Sequence, residues 1–118
     1  MYSVKVEGDF SAAHNLRGYK GKCEALHGHN WKVEAAVSGE ALDKNGLLLD
    51  FHFLKARLNK ALEKLDHKYL NKIPYFKKVN PTSENIARYL FDSLKPEIPG
   101  LAAVAVWESE YSVATYYE

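Results

Sequence analysis

The 118-residue chain has one cysteine, Cys23, so no intramolecular disulfide can staple it. A lone thiol fits a reducing, cytoplasmic compartment. No charge of one sign dominates: 16 Lys+Arg stand against 15 Asp+Glu. That excludes a partner recognised by bulk charge, nucleic acid above all. No apolar run approaches the roughly 18 residues of a membrane span. Strand-like alternation begins at the first residues and argues against a signal peptide. Repeats and low-complexity segments are also missing. What is present is a 47% hydrophobic and 26% charged composition, ordinary for one soluble globular domain over residues 1–118. Five histidines are more than such a chain needs, and their placement carries most of the information.

Residues 2–7 alternate Tyr2, Val4 and Val6 against Ser3, Lys5 and Glu7, the pattern of a half-buried strand. Gly8 interrupts it, where a bulge is expected, and the strand resumes to His14. Residues 15–24 are polar with two glycines and read as a loop. From Leu26 to Ser38 the odd positions are His27, His29, Trp31, Val33, Ala35 and Val37, a second strand whose histidines share its apolar face. Asp50 is placed to cap a helix in which Phe51, Leu54, Leu58, Ala61, Leu62 and Leu65 recur at helical spacing. Residues 68–81 hold two prolines and no clean period, and read as a crossing loop. Thr82 or Ser83 caps a second helix with Ile86, Ala87, Leu90, Phe91 and Leu94 as its stripe, stopped by Pro96. Strands at 101–108 and 111–117 follow. The expectation is an α+β fold of order ββααββ, a four-stranded antiparallel sheet with two helices on one face. Such an open sheet has edges, and the tyrosine-rich last strand with an extended first one invites pairing into a homo-oligomer.

His27 and His29 point the same way along a strand, about 7 Å apart. With His14 they could make a three-histidine metal site with an open fourth position, and zinc is the default ion for neutral nitrogen ligands. The competing reading is buried histidines satisfied by backbone groups; for an isolated histidine it would win. Cys23 lies in a polar loop just before this pair, where a nearby cation would favour the reactive thiolate; a small buried residue is the alternative. Asp66-His67 can be a helix-end turn or a carboxylate that fixes an imidazole tautomer. Glu108 shares parity with Val104 and Val106, so its carboxylate either faces a dry pocket and needs a two-donor partner or marks an exposed strand end. Asn30 is polar filler on the opposite face, and His52 and Glu110 are surface residues.

Together these residues resemble the 6-pyruvoyltetrahydropterin synthase family, and within it the 6-carboxytetrahydropterin synthases of the queuosine and deazapurine pathway. The resemblance spans Phe10-Ser11-Ala12-Ala13-His14, Cys23-x-x-x-His27-Gly28-His29-Asn30, Gly46-Leu47-Leu48-Leu49-Asp50-Phe51, Leu65-Asp66-His67, Asn80-Pro81-Thr82-Ser83-Glu84-Asn85 and Glu108. Three residues between the cysteine and His-Gly-His look like the carboxy type. The resemblance implies a tunnelling fold whose subunits form a barrel, commonly a hexamer of two trimers. It implies zinc on His14, His27 and His29, proton transfer by Cys23, Asp66 and His67, and pterin binding by Glu108 with Thr82 and Ser83. The substrate would be 7,8-dihydroneopterin triphosphate, and the products 6-carboxy-5,6,7,8-tetrahydropterin, acetaldehyde and triphosphate. Arg17, Lys20 and Lys22 are candidates for the triphosphate, against the ordinary fate of loop cations as solvated charges. Rival readings are a pyruvoyl-type synthase or an aldolase acting on the same substrate, and a non-catalytic, zinc-stabilised pterin-binding oligomer.

Overall fold

Two thirteen-residue strands organise the molecule, β1 (Tyr2–His14) and β2 (His27–Gly39). The computed structural model describes all residues except Lys20, Lys22 and Cys23. The antiparallel register runs unbroken from Tyr2↔Gly39 to His14↔His27, and alternation sorts each strand into two faces. Phe10, Ala12 and His14 of β1 and Trp31, Val33 and Ala35 of β2 are buried on one face. Lys32 and Asn30 are exposed on the other. Because Tyr2↔Gly39 and Gly8↔Val33 belong to the same unbroken ladder, the bulge expected at Gly8 does not exist. A Cβ there would sit 2.8 Å from Leu62 Cδ1 and 3.1 Å from Asn59 Oδ1, so the glycine serves close helix-on-strand approach.

Helix α1 (Phe51–Glu63) starts at Asp50, whose side chain accepts from the His52 N–H, and it buries Leu54, Leu58 and Leu62. The segment expected as a loop instead holds a short strand β3 (Lys68–Tyr69), a 3₁₀ turn (Leu70–Lys72) and helix α2 (Pro74–Lys78). These pieces are too short to show a period, and Pro74 opens a helix, the one place where its missing N–H costs nothing. Helix α3 (Ser83–Leu94) is capped by the Thr82 hydroxyl, which accepts from the Asn85 N–H. Strands β4 (Leu101–Ser109) and β5 (Ser112–Tyr117) complete the chain.

The sheet order is β3-β1-β2-β4-β5. It is a five-stranded mixed sheet, not the four-stranded antiparallel one expected, because β3 pairs in parallel with Ala12 and Ala13 of β1. Helix α1 packs on β1, and α3 on β4, β5 and α1. One hydrophobic cluster joins them through Trp31, Val33, Leu58, Leu62, Phe91 and Val106, among others. Among the described residues, no helix is long and apolar enough to cross a membrane.

Candidate metal centre and proton-transfer site

The register that builds the core also delivers the histidines. His14 ends β1 directly opposite His27, which begins β2, and His29 lies opposite Ala12. All three rings therefore stand on the core face, at the end of the sheet. His14 is 1% exposed. The buried Trp31 ring meets His14 edge-on at 4.9 Å and His29 at 5.1 Å between centroids, and the Trp31 indole N–H donates to the Ala12 carbonyl. The aromatic wall holds the imidazoles in place.

Backbone carbonyls determine where the ring protons sit. His14 Nδ1 is 2.7 Å from the Pro81 carbonyl and His27 Nδ1 is 2.8 Å from that of Ala25. A carbonyl only accepts, so both Nδ1 atoms carry hydrogen and both Nε2 atoms present lone pairs. Those two Nε2 atoms are 2.9 Å apart. Two lone pairs at that distance repel unless a cation lies between them. Burial, chiefly, holds the His14 pKa below its ordinary value, against the raising effect of the Pro81 contact. Burial likewise depresses His29, against the neighbouring Glu108 carboxylate. Both are thus kept neutral, the form that ligates metal.

Glu108 joins this group, which sequence parity did not foresee as a neighbour of the histidines. One ligand atom from each of His14, His27, His29 and Glu108 lies within 4.8 Å of every other. Glu108 Oε1 is 3.0 Å from His29 Nε2 and 3.3 Å from His14 Nε2. The His29 contact is short yet misaligned, so the buried Nε2 atom makes no hydrogen bond. Ligands about 2 Å from a tetrahedral zinc lie about 3.3 Å from one another. Converging donors, two of them imidazoles whose ring protons are committed to backbone carbonyls, fit a metal ion of that class.

The Asp66-His67 pair docks on the same strand, three residues earlier. Asp66 Oδ1 accepts from the Ser11 N–H at 2.9 Å, and the His67 N–H donates to the Ser11 carbonyl at 2.6 Å. Asp66 Oδ2 faces His67 Nδ1 at 3.0 Å. The outward edge of β1 is therefore used to seat the dyad. His67 adopts φ 58, the left-handed region that non-glycine residues seldom enter, and its side chain is 82% exposed. The Ser11 N–H first, and then His67, hold the Asp66 carboxyl below the usual carboxylate range.

Thr82 caps helix α3 beside Pro81, one of the two caps expected, and Ser83 is the first helical residue. The Arg17 guanidinium donates to the Phe76 and Val79 carbonyls, so it fastens the chain rather than standing free for a phosphate. Cys23, Lys20 and Lys22 lie outside the described residues. Asn30 accepts from the Ser11 hydroxyl on the face opposite the histidines, as expected of a residue there.

Sequence reasoning missed a set of asparagine braces. Asn80 accepts from the Arg17 N–H and donates to the Arg17 carbonyl, while Asn71 does the same for Asn15. Asn85 donates to the Asn80 carbonyl. These pairs hold the Pro81 segment against β1, which keeps the carbonyl on His14. The signal was the asparagines flanking Pro81, but side-chain-to-backbone pairing has no period to detect.

A family model described as 6-pyruvoyl tetrahydropterin synthase matches residues 3–118. A 6-carboxy-5,6,7,8-tetrahydropterin synthase of Synechocystis sp. is 37% identical over 123 residues, covering 99% of this chain and 94% of that protein. A dihydroneopterin monophosphate aldolase of Pyrococcus furiosus is also 37% identical, covering 93% of each. The structure of Caenorhabditis elegans 6-pyruvoyl tetrahydropterin synthase superposes with a TM-score of 0.90 at 30% identity, covering 99% of this chain and 95% of that one. Relatives bearing three different activities thus share this scaffold.

Proposed function

The chain belongs to the 6-pyruvoyl tetrahydropterin synthase family and is a lyase-type pterin synthase, and on that premise we propose that it is a zinc-dependent 6-carboxy-5,6,7,8-tetrahydropterin synthase. It would convert 7,8-dihydroneopterin triphosphate to 6-carboxytetrahydropterin, acetaldehyde and triphosphate, in queuosine or deazapurine biosynthesis. The observation that carries the site is the convergence of His14 and His27 through unprotonated Nε2 atoms whose Nδ1 protons are committed to backbone. The carboxy-type assignment is supported by the three-residue gap between Cys23 and His27-Gly28-His29 and by the Synechocystis relative.

His14, His27 and His29 would hold the zinc, which when bound supplies a Lewis acid for the oxygens of the substrate side chain. Cys23, as thiolate, and His67 transfer protons at that side chain. Asp66 is kept ionised by the Ser11 N–H and holds a proton on His67 Nδ1, leaving Nε2 as the working atom. Glu108 offers two oxygens to the guanidine-like edge of the pterin, and Thr82 and Ser83 border the ring. The active assembly is a homo-oligomer, a hexamer, in the cytoplasm; β5, an edge strand with Val113 and Tyr117 exposed, offers an unpaired edge for it.

The test is product analysis on the wild type and Cys23→Ala, with metal content measured on both. Acetaldehyde with a 6-carboxypterin is expected from the wild type, with zinc retained and turnover lost in the variant. The Pyrococcus relative favours a second reading, an aldolase, whose product would be a hydroxymethylpterin without acetaldehyde. Pterin binding with no consumption of substrate would leave a binding module.

A further inference from the structure

Strand β4 does not run regularly into its turn. Trp107 pairs with Val113 and Ser109 with Ser112, so two steps on β4 answer one on β5. Glu108, between them, is the extra residue of a β-bulge, a device that re-aims a side chain beside a site. Here it swings a carboxylate into the ring of imidazole nitrogens, 3.0 Å from His29 Nε2 and 3.3 Å from His14 Nε2. Neither contact is explained as a hydrogen bond. His14 carries its proton on Nδ1, against Pro81, and His29 Nε2 is buried without an aligned partner. An anionic oxygen 3.3 Å from the unprotonated His14 Nε2 is repulsive, unless both atoms face one cation.

We propose that Glu108 is a fourth protein ligand of the metal in the substrate-free enzyme, and that arriving substrate displaces it. The inference rests on the metal-centre reading above. Three histidines and a carboxylate fill a tetrahedral shell, whereas catalysis needs an open position, so one ligand must leave. His14 is buried and tied to Pro81, His27 is tied to Ala25, and His29 packs on Trp31. Glu108 alone sits on an irregular strand end, with 36% of its side chain exposed. Once released it remains a carboxylate, with both oxygens free for the two donors of a pterin edge. One side chain thereby caps the metal in the resting enzyme and couples its opening to recognition of the ring.

The test loads metal-stripped full-length protein with Co²⁺ and records the visible d–d spectrum and, by competition with a chromophoric chelator, the affinity. The wild type, Glu108→Gln and His29→Ala are compared, with far-UV circular dichroism confirming that each is folded. Glu108→Gln is expected to change the band pattern and weaken Co²⁺ binding by at least about tenfold. Adding 7,8-dihydroneopterin, with binding followed by its fluorescence, is expected to move the wild-type spectrum away from its resting form. A Glu108→Gln spectrum superposable on the wild type overturns the proposal even if affinity falls, since charge alone would explain that. Pterin binding that leaves the wild-type spectrum unmoved overturns the displacement. Failure of the wild type to take up Co²⁺, or undiminished uptake by His29→Ala, removes the metal centre itself and the proposal with it.

Discussion

Replacing Asp66 by asparagine separates the two things its carboxylate does. Oδ1 accepts from the Ser11 N–H at 2.9 Å and Oδ2 faces His67 Nδ1 at 3.0 Å. An asparagine keeps the first contact through its carbonyl oxygen, so the seat on β1 survives. Its NH₂ group then faces His67 Nδ1 and donates to it, which forces the imidazole proton onto Nε2. That inverts the tautomer and leaves the outward nitrogen unable to accept a proton. Loss of one positioned acid–base group costs about 10²–10⁴-fold in rate, and the exposed position of His67 favours the lower half of that range. The expected result is a kcat for the proposed acetaldehyde release reduced about 10²–10³-fold, with KM and metal content near wild type. The melting temperature should move by no more than about 2 °C. The pH profile is the second readout. Because Asp66 is held below the usual carboxylate range, the wild type should keep its activity to lower pH than an unperturbed Asp would allow. Asp66→Ala, which abandons the Ser11 N–H as well, should lose rate and also melt earlier. Wild-type kcat in Asp66→Asn would refute the tautomer argument, and a loss confined to KM would make the dyad a binding element.

Three further outcomes follow from the packing and the charges. Gly8→Ala should destabilise the protein: the new Cβ meets Leu62 Cδ1 at 2.8 Å, an overpacking cost of about 1–3 kcal/mol offset by about 0.5–1 kcal/mol from removing a strand glycine. A net loss of about 1 kcal/mol lowers the melting temperature by about 4 °C, and an unchanged melt would show that α1 yields freely. In metal-stripped protein, His14 and His29 have folded pKa values below the ordinary 6.5, so the unfolded chain binds more protons as pH falls. Their contribution to stability is present above about pH 6.5 and is lost as pH falls from there through the folded values; thermal melts between about pH 7.5 and 5.5 should decline accordingly, and a flat profile would contradict the burial argument. Arg17→Gln removes the donations to the Phe76 and Val79 carbonyls, so it should lower the melting temperature. A raised KM for the proposed triphosphate substrate at unchanged stability would instead return Arg17 to the phosphates.

The parts of the site that lie on regular strands were legible in the sequence, and the parts that lie on irregular backbone were not. Period-two alternation places His27, His29 and Trp31 on one face, because in a strand side-chain direction follows from parity alone. The same parity put Glu108 on the core face, but only the bulge between Trp107 and Ser109 tells where its carboxylate goes, and a bulge leaves no mark on hydrophobic pattern. The Pro81 carbonyl is invisible for a related reason: it is backbone, held by asparagine pairs that have no period. β3 and α2 escaped because two and five residues are shorter than any repeat they could display.

The legible half has a physical consequence of its own. The β1–β2 register that sets His14 opposite His27 also sets Phe10 opposite Trp31 and Val6 opposite Ala35. A slip of one residue would turn the side chains of one strand to the other face, parting the histidines and exposing either Trp31 or Phe10 to solvent. Burying one such aromatic side chain is worth several kcal/mol, at about 25 cal/mol for each Å² of apolar surface removed from water. The hydrophobic core therefore selects the register, and the register assembles the histidines. The strand histidines of the metal centre need no folding instruction of their own, and metal binding can act on a site the apolar residues have already aligned.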